Sequence, residues 1–177
     1  MSSLLDPVRR GIAHASEETR SVDPVEILEY DPRFRDHFRL LNLEWIERFF
    51  QIEPPDREIL EDPETHVLKR GGHIFFARLG EEIVGTCALL KHDDRTFELA
   101  KMGVTPSAQG KQIGRRLAEE TIRQARSAGA SVLFLETNSR LLAAIRLYES
   151  LGFMYFNPPP SHKERYARAD VFMRMEL

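Results

Sequence analysis

The chain has 177 residues, enough for one domain with a substantial core and too few for two comfortable ones. It is 42% hydrophobic with ten glycines and ten prolines, a globular rather than a disordered profile, and its net charge of −3 excludes general nucleic-acid binding, which needs a basic surface. Cys87 is the single cysteine, so no intrachain disulfide forms and a reducing cytoplasm is the expected compartment.

Residues 1 to 22 are polar, mixed in charge and weakly periodic, which predicts a tail or short appended helix ahead of one domain over 23–177. The opening "MSSLLDPVRRG" lacks the basic start and apolar stretch of a secretion signal, and no run approaches membrane-spanning length, so no membrane partner is expected. "VEILEY" (25–30) reads as a first strand. Residues 33–52 follow helical spacing, with Phe34, Phe38, Leu41, Trp45 and Phe49 recurring every three or four positions. "IEPPD" stops that region, and "REILED" reads as one more short helix before Pro63.

Three strands with tight connections follow, "HIFFARL" (73–79), "EIVGTCALLK" (82–91) and "TFELAKMGV" (96–104), the pattern of an antiparallel meander. The second is apolar on both faces, as a covered central strand would be, and Cys87 within it reads as a small buried hydrophobe. "HDD" at 92–94 reads as a polar hairpin turn. Then comes alternation: helix 110–128, strand 131–137, helix 139–151, strand 153–157, a loop over 158–170 and a last strand over 169–176. Strands first and strand–helix alternation after predict a mixed α/β sheet. The six histidines show no i, i+3 or i, i+4 pairing and no cysteine companion, so no metal is expected.

"TPSAQGKQIGRRLAEE" (105–120) sets Lys111, Arg115 and Arg116 in the first turns of its helix, where the dipole favours acids. Gly110 and Gly114 leave backbone N–H groups accessible there, the makings of an anion cradle. It is neither a P-loop nor a dinucleotide fingerprint, and on spacing alone a solvated basic helix serves equally well.

"KMGVTPSAQGKQIGRRL" followed by "LFLETNSRLLAAIRLYESLGF" resembles the GCN5-related N-acetyltransferase (GNAT) superfamily over roughly residues 25–177. The first stretch is similar to the acetyl-CoA motif (Gln/Arg)-x-x-Gly-x-(Gly/Ala), with Gln109 first, Gly114 last and Gln112 where the family most often has glycine. The second matches at Asn138, Ala144, Leu147, Tyr148, Gly152 and Phe153. The resemblance implies a mostly antiparallel sheet of six or seven strands, helices on both faces, and a splay between strands four and five that admits pantetheine. It further implies acetyl-CoA as acyl donor and an amine acceptor. Backbone groups of Met102 and Val104 would pair with pantetheine. Amides of Gln109, Gly110, Lys111, Gln112, Ile113, Gly114 and Arg115 would hold the pyrophosphate, and Gly103 fits independently as a bulge or close approach. Strand edges in such folds often pair, which makes a homodimer an expectation. A non-catalytic acyl-CoA-binding module is the alternative.

Acetyl transfer requires deprotonating an alkyl ammonium with a pKa of about 10.4 and reprotonating a thiolate. Tyr148 occupies the family's tyrosine position and is the acid candidate; an inward aromatic core residue is the other reading. Glu98 alternates onto the face of Ala100, Met102 and Val104 and resembles the strand-four glutamate base of some members. A structural ion pair would explain it as well. Glu136, in the facing strand, is the reserve base and a substrate contact. Asn138 either orients ligand or caps a helix. Trp45 and Phe49 wall the acceptor site or the core, and Tyr166 is the expected acceptor contact from the 158–170 loop.

Overall fold

The computed structural model describes residues 24–177, apart from the side chains of residues 161 and 162; the expected tail or helix at 1–22 lies outside the described residues. In chain order the elements are β1 (Val25–Glu29), α1 (Arg35–Phe49), α2 (Pro54–Glu61), α3 (Pro63–His66), β2 (His73–Leu79), β3 (Glu82–Lys91) and β4 (Thr96–Val104). They continue with α4 (Ile113–Ser127), β5 (Val132–Thr137), α5 (Leu142–Ser150), β6 (Met154–Tyr155), α6 (Pro160–Lys163) and β7 (Val171–Glu176). Single 3-10 turns precede α1, β2 and α4.

One seven-stranded sheet runs in the order β1-β2-β3-β4-β5-β7-β6, antiparallel except where β4 meets β5. Its two faces carry separate cores because strand side chains alternate. In β2, Phe75 and Ala77 join the core under α4 while Ile74 and Phe76 join the one under α1 and α2. α4 inserts Ile113, Leu117, Ala118, Ile122 and Ala125, spaced at three and four, against Cys87, Leu99 and Leu133. Each of the isoleucine and leucine side chains stabilises the fold by about 1.5–3 kcal/mol on full burial.

Three boundaries differ from the sequence reading. Pro54 and Pro55 do not merely end α1; they occupy the first turn of α2, where a missing N–H is harmless, and Glu53 and Asp56 close a capping box around them. Strand 153–157 shrinks to Met154–Tyr155, and the 158–170 loop contains the short helix α6.

The third difference matters most. Thr86 pairs with Gly103 and Ala88 with Ala100, so Lys101 and Met102 together oppose Cys87. Lys101 takes a left-handed φ of 52°. That extra residue is a β-bulge, and it reverses the alternation downstream. Ala100 packs on the α1 side, whereas Met102 and Val104 pack on the α4 side and Gly103 faces α1. The expectation that Glu98 shares a face with Met102 and Val104 is therefore corrected.

β4 and β5 pair only from Thr96 to Glu98, opposite Val132 to Phe134, and then part. β5 keeps its other edge fully paired with β7, so the gap opens between β4 and β5 alone.

Candidate active site

The parting of β4 and β5 opens a cleft of about 750 Å³. Met102, Gly103 and Val104 form one wall, the loop from Gln109 to Gly114 its head, Ala144 and Leu147 of α5 its far side, and Leu41, Trp45 and Phe49 of α1 its roof. The loop holds two left-handed residues, Gly110 at φ 80° and Gln112 at φ 59°. Gln112 is the N-cap of α4 but makes no side-chain cap hydrogen bond, and the first turn holds no acid. The first N–H groups of a helix have no intrahelical acceptor, so this end faces the cleft with donors and partial positive charge unspent. Arg115 lines the cleft, anchored to Glu119 at 3.3 Å and Ser150 Oγ at 2.6 Å. Lys111 and Arg116 are exposed and lie outside the lining. Gln109 Nε2 donates to the Val104 carbonyl at 3.1 Å.

On the α1 face, past the bulge, lies a second and smaller chamber of about 60 Å³. Glu98 and Ala100 of β4, Glu136 of β5, Asn138 and Tyr166 line it, and Trp45 and Leu141 line both it and the cleft. Glu98 is 3% exposed. Burial acts to raise its pKa, but the His92 hydrogen bond at 2.7 Å and the Arg165 guanidinium at 2.5 Å outweigh it, leaving the carboxyl below the ordinary glutamate value. Glu136 goes the other way. Burial, reinforced by the charge of Glu98, pushes its carboxyl up to about 7. Of the two chamber carboxyls, only Glu136 is shifted toward the neutral form.

A buried charge network braces the chamber. Lys101 Nζ donates to Asp56 Oδ1 at 2.6 Å and to the Tyr166 hydroxyl at 2.9 Å. Arg168 grips both oxygens of Asp56 at 2.6 and 2.7 Å and reaches Glu53 at 3.1 Å. Burial raises the Asp56 pKa, yet Arg168 and Lys101 prevail and hold it at about 2. Trp45 sits edge-on to Phe50, 6.4 Å between centroids, and its Nε1 donates to Asn42 at 3.2 Å.

A model of the acetyltransferase (GNAT) family matches residues 36–153, two thirds of the chain. The chain belongs to the GNAT acetyltransferase family. It is 34% identical over 113 residues to the IAA acetyltransferase of Azospirillum brasilense, covering 63% of this chain and 73% of that one. The curated relatives it matches are covered unevenly, from about a third to nearly three quarters of their length. Among solved structures, a GNAT acetyltransferase of Staphylococcus aureus Mu50 superposes with a TM-score of 0.78 at 23% identity, over 86% of this chain and 99% of that one. The yncA acetyltransferase of Salmonella typhimurium, solved with its cofactor acetyl-CoA, superposes with a TM-score of 0.68 at 23% identity, over 86% and 94%.

Within this GNAT chain the tyrosine of the second motif, Tyr148, is 6% exposed, its ring T-shaped against Phe153 at 5.9 Å. Burial raises its phenol pKa, with a further contribution from Cys87, and its hydroxyl makes no hydrogen bond among the described residues. It is in the α4-side core and lines neither cavity. Asn138 is not a helix cap. Its Nδ2 donates to the Arg168 carbonyl at 2.6 Å and its Oδ1 accepts from Arg140 N at 2.9 Å, tying the β5–α5 turn to the C-terminal segment. Phe49 lines the cleft and an outer concavity, and Tyr166 is spent on Lys101. Sequence reasoning missed His92, Asp56, Lys101, Arg165 and Arg168. Only Lys101 carried a signal, a cation inside the apolar run "FELAKMGV".

Proposed function

We propose that this protein transfers the acetyl group of acetyl-CoA directly to a primary amine. One observation carries the reading: β4 and β5 part into a cleft that has an uncapped helix N-terminus at its head and a two-carboxylate chamber behind it. The cleft's dimensions and chemistry fit acetyl-CoA, which would supply an activated acyl carbon on a thiol leaving group. The backbone of Met102 and Val104, which β5 does not pair, would bond its pantetheine amides, and the N–H groups from Gly110 to Gly114 would take its pyrophosphate.

The two proton transfers fall to different residues. Glu136, poised at about 7, has the pKa suited to accepting the ammonium proton near neutrality, directly or through a water. Burial keeps it there, and the nearby Glu98 charge adds to it by disfavouring a second ionisation. The amine lone pair then forms the C–N bond as the C–S bond breaks. Tyr148 is the proposed donor to the departing sulfur: burial keeps its phenol protonated, and although it lines neither cavity it follows directly on Leu147, which lines the cleft. The base assignment moves from Glu98 to Glu136 because His92 and Arg165 engage the Glu98 carboxylate and lower its pKa, making it the weaker base.

The test is thermal. Acetyl-CoA should raise the melting temperature progressively with concentration, by mass action on the native state. A Cβ at Gly114 would meet only Leu147 at 3.5 Å and Val104 at 3.9 Å, so Gly114→Glu should fold and abolish the shift by bringing bulk and charge into the cradle. A panel of amines scored for CoA-thiol release then separates transfer from cofactor binding alone.

A further inference from the structure

The cleft and the chamber meet at two side chains, Trp45 and Leu141, the residues that line both. Under the reading above, sulfur arrives from the cleft and the amine from the chamber, so the thioester carbon and its acyl tail must lie at this divide. The space beyond it is small. At about 60 Å³, against about 750 Å³ for the cleft, it has room for only a few small groups. An acetyl methyl and an amine nitrogen together use that space; each further methylene on the acyl chain would take room the amine needs.

Trp45 is also unable to yield. Behind it, Gly103 approaches so closely that a Cβ there would fall 2.8 Å from Cδ1 of the indole. At its edge, Nε1 is bonded to Asn42, itself buried and anchored to the Phe38 carbonyl at 2.9 Å. Phe50 stands perpendicular to it, and the Arg168 guanidinium lies 5.9 Å from its ring. A ring fixed on four sides acts as a wall. We infer that Trp45, with Leu141 opposite, restricts the donor to short acyl groups, making it a specificity-determining residue for the acyl chain.

The inference rests on the transferase reading, and the experiment keeps the two apart. Acetyl-, butyryl- and hexanoyl-CoA are compared on wild type, Trp45→Leu and Leu141→Ala, first by the rise in melting temperature without acceptor. The second comparison is CoA-thiol release with the fastest amine of the panel. Wild type should lose about a hundredfold in kcat/KM from acetyl to butyryl, the scale of two misfitted methylenes. In both variants that ratio should drop below about tenfold, and hexanoyl-CoA should bind better relative to acetyl-CoA than in wild type. Trp45→Leu strands the Asn42 acceptor and can fail to fold; Leu141 is half-buried and leaves no polar partner behind, so its variant decides alone in that event. Equal use of butyryl-CoA by wild type, or an unchanged length profile in the folded variants, overturns the proposal. If no donor stabilises wild type at all, the transferase reading itself has failed.

Discussion

Glu98 and Glu136 stand on the same face of the sheet, beside the point where β4 and β5 part, and their environments drive their proton affinities in opposite directions. The sign of the consequence is fixed. A base must be unprotonated, so kcat/KM should rise with pH along a limb near the Glu136 value of about 7. Glu136→Gln should remove that limb and depress turnover by about 10²–10⁴-fold near neutrality, with partial recovery at high pH where more amine is already neutral. Glu98→Gln deletes the neighbouring charge that helps hold Glu136 up, so its limb should move to lower pH rather than vanish. A pH–rate profile of each variant decides the matter: loss of the limb in Glu98→Gln would return the base to Glu98. Tyr148→Phe belongs to the same scale. Its hydroxyl makes no hydrogen bond among the described residues, so the variant should keep its denaturant midpoint while turnover falls about 10²–10⁴-fold. Unchanged turnover would leave Tyr148 a core aromatic packed on Phe153.

Among the elements, the seat of α1 on β4 depends on one missing side chain. Gly103→Ala would place a Cβ 2.8 Å from Trp45 and 3.0 Å from the Leu41 carbonyl, a clash on backbone as well as side chain. The expected penalty is about 1–3 kcal/mol, read as a lower denaturant midpoint, with a weaker acetyl-CoA shift because the cleft's roof moves. The meander and the two motif helices, α4 and α5, were legible in the sequence because their signals are local: alternation, spacing at three and four, glycine after the last turn. What was not legible lay in register. A run such as "FELAKMGV" alternates cleanly on paper, and nothing local announces that Lys101 will bulge and exchange the faces that follow. The partners of Glu98 were equally hidden, since Arg165 is 67 positions away and His92 sat in a stretch that reads as a turn. It is a turn, with Asp93 accepting from Arg95 and Thr96 backbone N–H groups, but its histidine points inward.

Across the whole molecule, Asp56 joins segments remote in sequence: α2, the bulge of β4 at Lys101 and the C-terminal approach to β7 at Arg168. All three charges are buried or nearly so. Removing one partner of such a set leaves the others uncompensated, so Asp56→Leu should destabilise by about 3–5 kcal/mol. Lys101→Met added to it should recover part of that loss, because the second buried charge is then gone too. Denaturant midpoints of the two singles and the double measure the coupling; strict additivity would mean the network contributes nothing cooperative. These contacts, with the two cores, hold the sheet and its coverings together, and no helix among the described residues is long and apolar enough to cross a membrane.

The bulge at Lys101 behaves like a frameshift written into a strand. Before it, β4 shows Glu98 and Ala100 to the chamber; after it, the same strand shows Met102 and Val104 to the opposite side and presents only a glycine to Trp45. Deleting that one residue would set Met102 alone opposite Cys87 and leave Met102, Gly103 and Val104 on the faces they now hold, whereas keeping Lys101 and straightening the bulge would turn everything downstream over. In that straightened strand Val104 would collide with the indole and Gly103 would leave a hole under α4. Substitutions in β4 therefore act one side chain at a time, whereas loss of the bulge with its residue retained would rewrite both compartments at once.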